Sequence, residues 1–137
     1  MIIDKVLVIA TAVIRNAKKQ VLLVQRSEKS SYPGYWQLVE GKLEKGESPI
    51  KAIKREISEE IGAVTSQLEI NSVFYNETEA KGLRYLCFRI VYATAISSDK
   101  IQTSDEHRSF GWFNRKEAVR LLLLPGTEDI LNKLPVS

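Results

Sequence analysis

The chain is poor in sulfur-containing residues and in histidine, and this narrows the class of protein to which it can belong. Its 137 residues include one cysteine, one methionine and one histidine. A lone cysteine, Cys87, excludes a disulfide within the chain and is typical of a protein from a reducing compartment. Because Cys87 lies in an apolar, strand-like segment, we expect a buried structural thiol and not a nucleophile.

Long apolar runs and a strong excess of one charge are also missing. No stretch reaches the ~20 apolar residues that cross a bilayer, and no secretory signal peptide is evident. The net charge is +3, and no basic tract favours a nucleic-acid groove. We therefore expect a cytoplasmic protein with no membrane or nucleic-acid partner, whose mild positive charge helps to attract polyanionic small molecules.

The length and the apolar pattern predict one α+β domain over residues 1–137, in which strands alternate with two or three helices. A hairpin turn is expected at 16–19 and loops at 77–82 and 97–106. The expected strands are Val6–Ile14 (buried on both faces), Val21–Val24, Trp36–Val39, Leu68–Asn76, Leu83–Ala95 and Arg108–Phe113. Helices are expected between Ser48 and Gly62, over Arg115–Leu123 after an Asn114 cap, and near Glu128–Leu134.

The helix between Ser48 and Gly62 has clear boundary signals. Ser48 is a good N-cap, Pro49 suits the first helical position, and Gly62 is a natural C-terminal stop. Four isoleucines fall on one narrow stripe of this helix, which we expect to be buried. They are Ile50, Ile53, Ile57 and Ile61.

Three glutamates of the same helix break the usual rules of helix design. Glu56, Glu59 and Glu60 cluster on one face, and an exposed Glu56–Glu60 pair repels by about 0.2–0.5 kcal/mol. Glu59 and Glu60 also lie in the last turn, where the helix dipole disfavours negative charge. A solvated acidic face would explain three glutamates taken alone, whereas a divalent cation is the simplest remedy for their repulsion.

The spacing around these glutamates is more specific than a run of charge. From Gly41 to Ala63 the chain reads GKLEKGESPIKAIKREISEEIGA. The fixed positions are Gly41, Glu47, Arg55, Glu56, Ile57, Glu59, Glu60 and Gly62. This pattern resembles the Nudix box of the Nudix hydrolase family, with Ala63 at the position where an aliphatic residue usually follows.

The resemblance extends over essentially the whole chain and implies the Nudix fold, a mixed β-sheet sandwiched between α-helices. It implies Mg²⁺ or Mn²⁺ as cofactor, with the metal held by Gly41 (through its carbonyl), Glu56, Glu59 and Glu60. It also implies that Arg55 pairs with Glu47 or a neighbouring glutamate and orients the cluster. Such an ion neutralises phosphate charge and lowers the pKa of bound water.

The identity of the general base is left open by the sequence. Some family members use a box glutamate, here Glu59 or Glu60, and others use a later loop glutamate, here Glu106. His107, the only histidine, stands beside Glu106, and we read it as incidental.

The chain also resembles the compact MutT-type nucleoside-triphosphate pyrophosphatases, in which a base packs between the early strands and the C-terminal helix. The resemblance implies that Arg26 contacts phosphate or sugar, and that Tyr35 and Trp36 border the base, although Trp36 suits the core equally well. Thr127 stands where MutT-type proteins place a base-reading asparagine. A hydroxyl cannot present the paired donor and acceptor of an amide, so the base preference is open.

The segment before the box departs from the commoner proline-glycine-glycine form, because Val39 and Glu40 precede Gly41. Dihydroneopterin-triphosphate pyrophosphatases also carry a variant here, and Glu40 either points to solvent or adds charge beside the metal. The expected function is hydrolysis of a nucleoside triphosphate to a monophosphate and pyrophosphate by a monomer or homodimer. The alternatives are ADP-ribose, nucleotide-sugar, dinucleoside-polyphosphate or pterin-triphosphate substrates, or a catalytically silent nucleotide-sensing module.

Overall fold

The computed structural model describes residues 2–65, 67–102 and 107–134. Within these residues the chain forms seven strands, three α-helices and a 3₁₀ turn at Ser98–Lys100. The strands are β1 (Lys5–Arg15), β2 (Val21–Arg26), β3 (Trp36–Gln37), β4 (Val39–Lys42), β5 (Glu69–Ala80), β6 (Leu83–Ala95) and β7 (His107–Phe113). The helices are α1 (Pro49–Ile61), α2 (Arg115–Ala118) and α3 (Thr127–Asn132).

The strands form one mixed sheet in the order β3-β2-β1-β6-β5, with β4 added to β1 and β7 added to β2. β1 and β6 are parallel along their length, while the other pairs are antiparallel. β1 pairs with β2 at Arg15 and Val21, and it pairs with β4 over Ile9–Ala12. Because β2 and β4 adjoin different stretches of β1, they diverge and leave a cleft between them.

Helices cover both faces of the sheet, which confirms the predicted α+β architecture. Alternate side chains of β1 and β2 point to opposite faces, as the period of a strand requires. Ala12 and Leu22 pack with Ile53 and Ile57 of α1, whereas Val13, on the other face, packs in the core of α2 and α3. Cys87 is buried in β6, as expected.

Two predictions of burial were wrong in part. Ile53, Ile57 and Ile61 are fully buried, but Ile50 is 38% exposed because it lies in the first turn, at the end of the stripe. The first strand was expected to be buried on both faces from Val6 onward. Burial in β1 begins only at Ile9, and Val6 is 59% exposed.

Two predicted boundaries were also wrong. The helix expected over 115–123 ends at Ala118, because the chain beyond it pairs with Trp36. The Trp36 amide donates to the Leu122 carbonyl at 2.7 Å, and the Leu124 amide donates to the Trp36 carbonyl at 2.8 Å. The loop expected at 77–82 is instead the end of β5 and a tight turn, in which Lys81 and Gly82 both have positive φ.

Candidate active site

A cleft of about 420 Å³ opens where β2 and β4 diverge beside α1. Two box glutamates, Glu56 and Glu60, share its walls with the basic side chains of Arg26 and Lys29. The other lining residues are Ser27, Ser30, Gln37, Glu40 and His107. The structure therefore brings predicted metal-ligating residues and one predicted phosphate-binding residue into one cavity.

Arg55 is the centre of the acidic cluster. Its Nε donates to Glu47 Oε2 at 2.7 Å, and its Nη2 donates to Glu47 Oε1 at 2.9 Å. Its Nη1 donates to Glu56 Oε1 at 2.6 Å and to Glu59 Oε2 at 3.2 Å. The hydrogen bonds from Arg55 and from the Glu44 backbone N–H lower the pKa of Glu47 to about 2. The Glu47 carboxylate in turn raises the pKa of Arg55 above its usual value.

The positive charge of Arg55 therefore offsets part of the repulsion between the glutamates, a role that the sequence suggested for a cation. In the three described stretches of the chain, no three His, Cys, Asp or Glu side chains converge closely enough to hold a metal ion. Glu56 and Glu59 instead both accept hydrogen bonds from Nη1 of Arg55. A cation at this site would have to share these two carboxylates with Arg55 or take them from it.

Gly41 lies directly against Glu56, and this contact explains the need for glycine. A Cβ placed on Gly41 would lie 2.1 Å from Glu56 Oε1. Gly41 is in β4 opposite Ala10 of β1, so the strand cannot easily shift to make room. The Gly41 backbone and the Glu56 carboxylate thus occupy adjoining positions.

Glu60 is buried and faces the only histidine. Its side chain is 2% exposed, and its Oε1 lies 3.1 Å from His107 Nε2. Burial lowers the pKa of His107 to about 4, and the Arg26 charge acts in the same direction. We read His107 as incidental from the sequence, but the pairing of β7 with β2 places it across from Arg26.

Glu40 is buried in the cleft wall and does not point to solvent, which was one of the two alternatives from the sequence. Both of its oxygens accept hydrogen bonds from Arg89, Nε to Oε1 at 3.0 Å and Nη2 to Oε2 at 3.1 Å. Burial alone would lower the pKa of Arg89, but the adjacent Glu40 carboxylate holds it above its usual value. Arg89 was missed because its strand gives no local signal of a partner on β4.

The predicted substrate-binding residues do not all reach the cleft. Arg26 lines it, and its Nη1 donates to Gln37 Oε1. Tyr35 makes an edge contact with Tyr32, and Trp36 packs against Phe113 in the core under α2 and α3. Thr127 is 1% exposed and lies at the start of α3, away from the cleft lining, so its predicted role stays untested. Glu106 lies outside the described residues.

The sequence match decides the family. Residues 5–134 match the family described as the NUDIX domain. The chain belongs to the Nudix family. In this Nudix domain, no helix of the described ranges has the length and apolar composition needed to span a bilayer.

Relatives of this Nudix chain are named as diphosphatases and pyrophosphohydrolases. An 8-oxo-dGTP diphosphatase of Haemophilus influenzae is 33% identical over 86 residues, which cover 63% of this chain and 63% of that protein. The CTP pyrophosphohydrolase of Escherichia coli is 29% identical over 127 residues, covering 90% and 87% of the two chains. The 8-oxo-dGDP phosphatase of Danio rerio is 30% identical over 117 residues, which cover 82% of this chain but only 34% of that protein.

The fold agrees with the family. The crystal structure of a MutT protein from Methanosarcina mazei Go1 has a TM-score of 0.78 at 25% identity, covering 97% of this chain and 95% of that one. The chain spans less than two thirds of the length of the Haemophilus and Danio relatives. The Nudix box residues here are set on α1 and on the segment that leads into it, beside a cleft of the size of a small ligand.

Proposed function

We propose that this chain is a single Nudix hydrolase domain that converts a nucleoside triphosphate to a monophosphate and pyrophosphate, with Mg²⁺ or Mn²⁺ as cofactor. The observation that carries the proposal is the cleft in which Glu56 and Glu60 stand with Arg26 and Lys29. The two carboxylates can bind a cation, and the two basic side chains can bind the phosphates that the cation also contacts. We infer that the protein acts in the cytoplasm on free nucleotides.

The chemical type of the predicted ligands suits a hard divalent ion, which requires Glu56 and Glu59 to turn from Arg55 toward it. Glu56, Glu59 and Glu60 offer carboxylate oxygens, and the bare Gly41 backbone lies against Glu56 without a side chain in between. Mg²⁺ and Mn²⁺ prefer oxygen ligands of this kind. When bound, such an ion neutralises phosphate charge and activates water for attack on phosphorus.

Arg55 orients the glutamates in this proposal and does not touch the substrate. Its two bonds to Glu47 anchor the guanidinium at the edge of the cluster. Glu56 and Glu59 share the single remaining nitrogen, Nη1, so they can turn to a cation while Arg55 stays in place.

Glu59 is the box glutamate best suited to take the proton from the attacking water. Its side chain is 54% exposed, whereas those of Glu56 and Glu60 are 12% and 2% exposed. A general base must reach a water molecule, and the exposed carboxylate of Glu59 does so most freely. Glu106 remains the alternative base that the sequence suggests.

The names of the relatives support a nucleotide substrate, since they include diphosphatases and pyrophosphohydrolases of 8-oxo-dGTP and CTP. Arg26 supports phosphate binding at one end of such a substrate, because its guanidinium is held in the cleft wall by Gln37.

The test is to incubate the protein with Mg²⁺ and a panel of nucleoside triphosphates, dinucleoside polyphosphates and nucleotide sugars, and to identify the products. Glu59→Gln should lower kcat by roughly 10²–10⁴-fold, the usual contribution of a general base, and Glu60→Gln should weaken metal binding. Glu69→Gln, on the exposed start of β5, is the matched control and should change nothing.

Unchanged turnover in both the Glu59→Gln and the Glu60→Gln variants would refute the proposal. A fall with Glu106→Gln and none with Glu59→Gln would assign the base to the later glutamate. Tight nucleotide binding with no turnover of any compound would support the sensing module instead.

A further inference from the structure

A buried network centred on Arg89 joins β1, β4, β5 and β6 beneath the cleft. Arg89 is 4% exposed, and its Nη1 donates to Asn76 Oδ1 at 2.7 Å, in addition to its two bonds with Glu40. Glu40 Oε1 also accepts a hydrogen bond from Thr11 Oγ1 at 3.2 Å. Because both Glu40 oxygens and all three Arg89 nitrogens are bonded, this buried network has one well-defined geometry.

The start of α3 closes the network from the side opposite α1. A Cβ on Gly126 would lie 2.3 Å from Arg89 Nη1, so the glycine backbone rests on the guanidinium. Gly126 has φ +95°, a conformation that favours glycine. Arg89 therefore has no room to turn away from Glu40.

Glu40 is followed directly by Gly41, and both residues are set by the register of β4. Glu40 pairs with Thr11 and Gly41 with Ala10 of β1. Gly41 in turn lies against the Glu56 carboxylate. The Arg89 guanidinium is thus connected to Glu56, a proposed metal ligand, through Glu40 and its neighbour Gly41.

We propose that Arg89 is a positioning residue, which holds the Glu40 carboxylate and thereby fixes Gly41 against Glu56. The inference rests on the proposed function for its consequence in metal binding. A purely structural role is a weaker explanation, because apolar residues of similar volume usually replace a buried ion pair at little cost in stability. The two directional hydrogen bonds of the ion pair fix the orientation of β4, which apolar packing alone would not do.

The experiment compares wild type with Arg89→Lys, which keeps the charge and loses the two-bond fork. We expect the Kd for Mn²⁺, measured by the paramagnetic effect on water relaxation, to rise about tenfold, as for other residues that orient metal ligands. Amide hydrogen exchange without metal should speed up at Gly41 and Lys42 and stay unchanged over Val21–Val24. The control is Arg84→Lys in the same strand, where the Glu79 partner is exposed and 3.6 Å away.

A second variant separates positioning from stability. The double substitution Glu40→Leu with Arg89→Met replaces the pair by apolar side chains, so the protein should stay folded while its Mn²⁺ affinity falls as in Arg89→Lys. Wild-type Mn²⁺ affinity in either folded variant would overturn the inference, as would exchange that speeds up equally over the whole sheet. If wild type itself neither binds Mn²⁺ nor hydrolyses nucleotides, the proposed function fails, and the exchange data alone decide whether Arg89 fixes β4.

Discussion

The Arg55 guanidinium holds the Glu47 carboxylate by two hydrogen bonds, Nε to Oε2 at 2.7 Å and Nη2 to Oε1 at 2.9 Å. Glu47 precedes α1, and Arg55 lies in the middle of that helix. The pair therefore holds the loop before α1 against the helix that carries Glu56, Glu59 and Glu60. It also fixes the direction in which the third guanidinium nitrogen points.

This pair predicts a dependence of stability on pH at the acid end. The pKa of Glu47 is about 2 in the folded protein and 4.5 in an ordinary carboxyl. Because the folded value is the lower one, the contribution of Glu47 to stability is fully present above about pH 5 and is lost as the pH falls toward 2. Urea unfolding of wild type and Glu47→Gln from pH 2.5 to 6 should show a difference that shrinks as the pH falls. A difference that stays constant over this range would contradict the assigned pKa.

Gly41→Ala should abolish metal binding without unfolding the protein. The added Cβ would lie 2.1 Å from Glu56 Oε1, so the carboxylate must leave its place. The matched control is Gly46→Ala, which places a Cβ in open space at φ +77° and adds only backbone strain. Mn²⁺ titration of both variants checks this prediction. Equal Mn²⁺ affinity in the two variants would show that the contact of Gly41 with Glu56 is unimportant.

Ile57→Ala should destabilise the domain far more than Ile50→Ala, although both residues lie on the same predicted stripe. Ile57 is fully buried between α1 and the sheet, and its truncation should cost about 2–5 kcal/mol. Ile50 is 38% exposed, so its truncation should cost less than about 1 kcal/mol. Urea unfolding at neutral pH measures both free energies. Similar losses for the two variants would place Ile50 in the core.

The local features of the fold were predictable because their causes are local. Ser48 caps α1 and Gly62 ends it in the left-handed conformation, as the sequence indicated. The Arg55–Glu47 pair also follows from the family motif. By contrast, α2 stops early because the backbone after it bonds to Trp36, which is distant in the chain. Such tertiary competition leaves no trace in helix propensity or in side-chain period.

The residues missed in the site share one property, which is that their partners come from distant elements of the chain. Arg89 meets Glu40 across 49 positions of sequence. His107 meets Glu60 only because β7 pairs with β2 beside the cleft. A single sequence shows neither pairing, whereas the three box glutamates lie within one helix and were therefore visible.

Arg26→Lys should raise the KM for a nucleoside triphosphate and leave kcat little changed. Arg26 is held in the cleft wall by Nε to the Ser31 carbonyl at 2.6 Å and Nη2 to Ser31 Oγ at 3.1 Å. Lysine keeps the charge but not the fixed guanidinium plane, whose Nη1 and Nη2 each keep one further N–H for phosphate oxygens. We expect KM to rise about tenfold, which corresponds to ~1.4 kcal/mol. Steady-state kinetics with saturating Mg²⁺ measure it, with the exposed Arg120→Lys as control, and a fall in kcat at constant KM would instead place Arg26 in the chemical step.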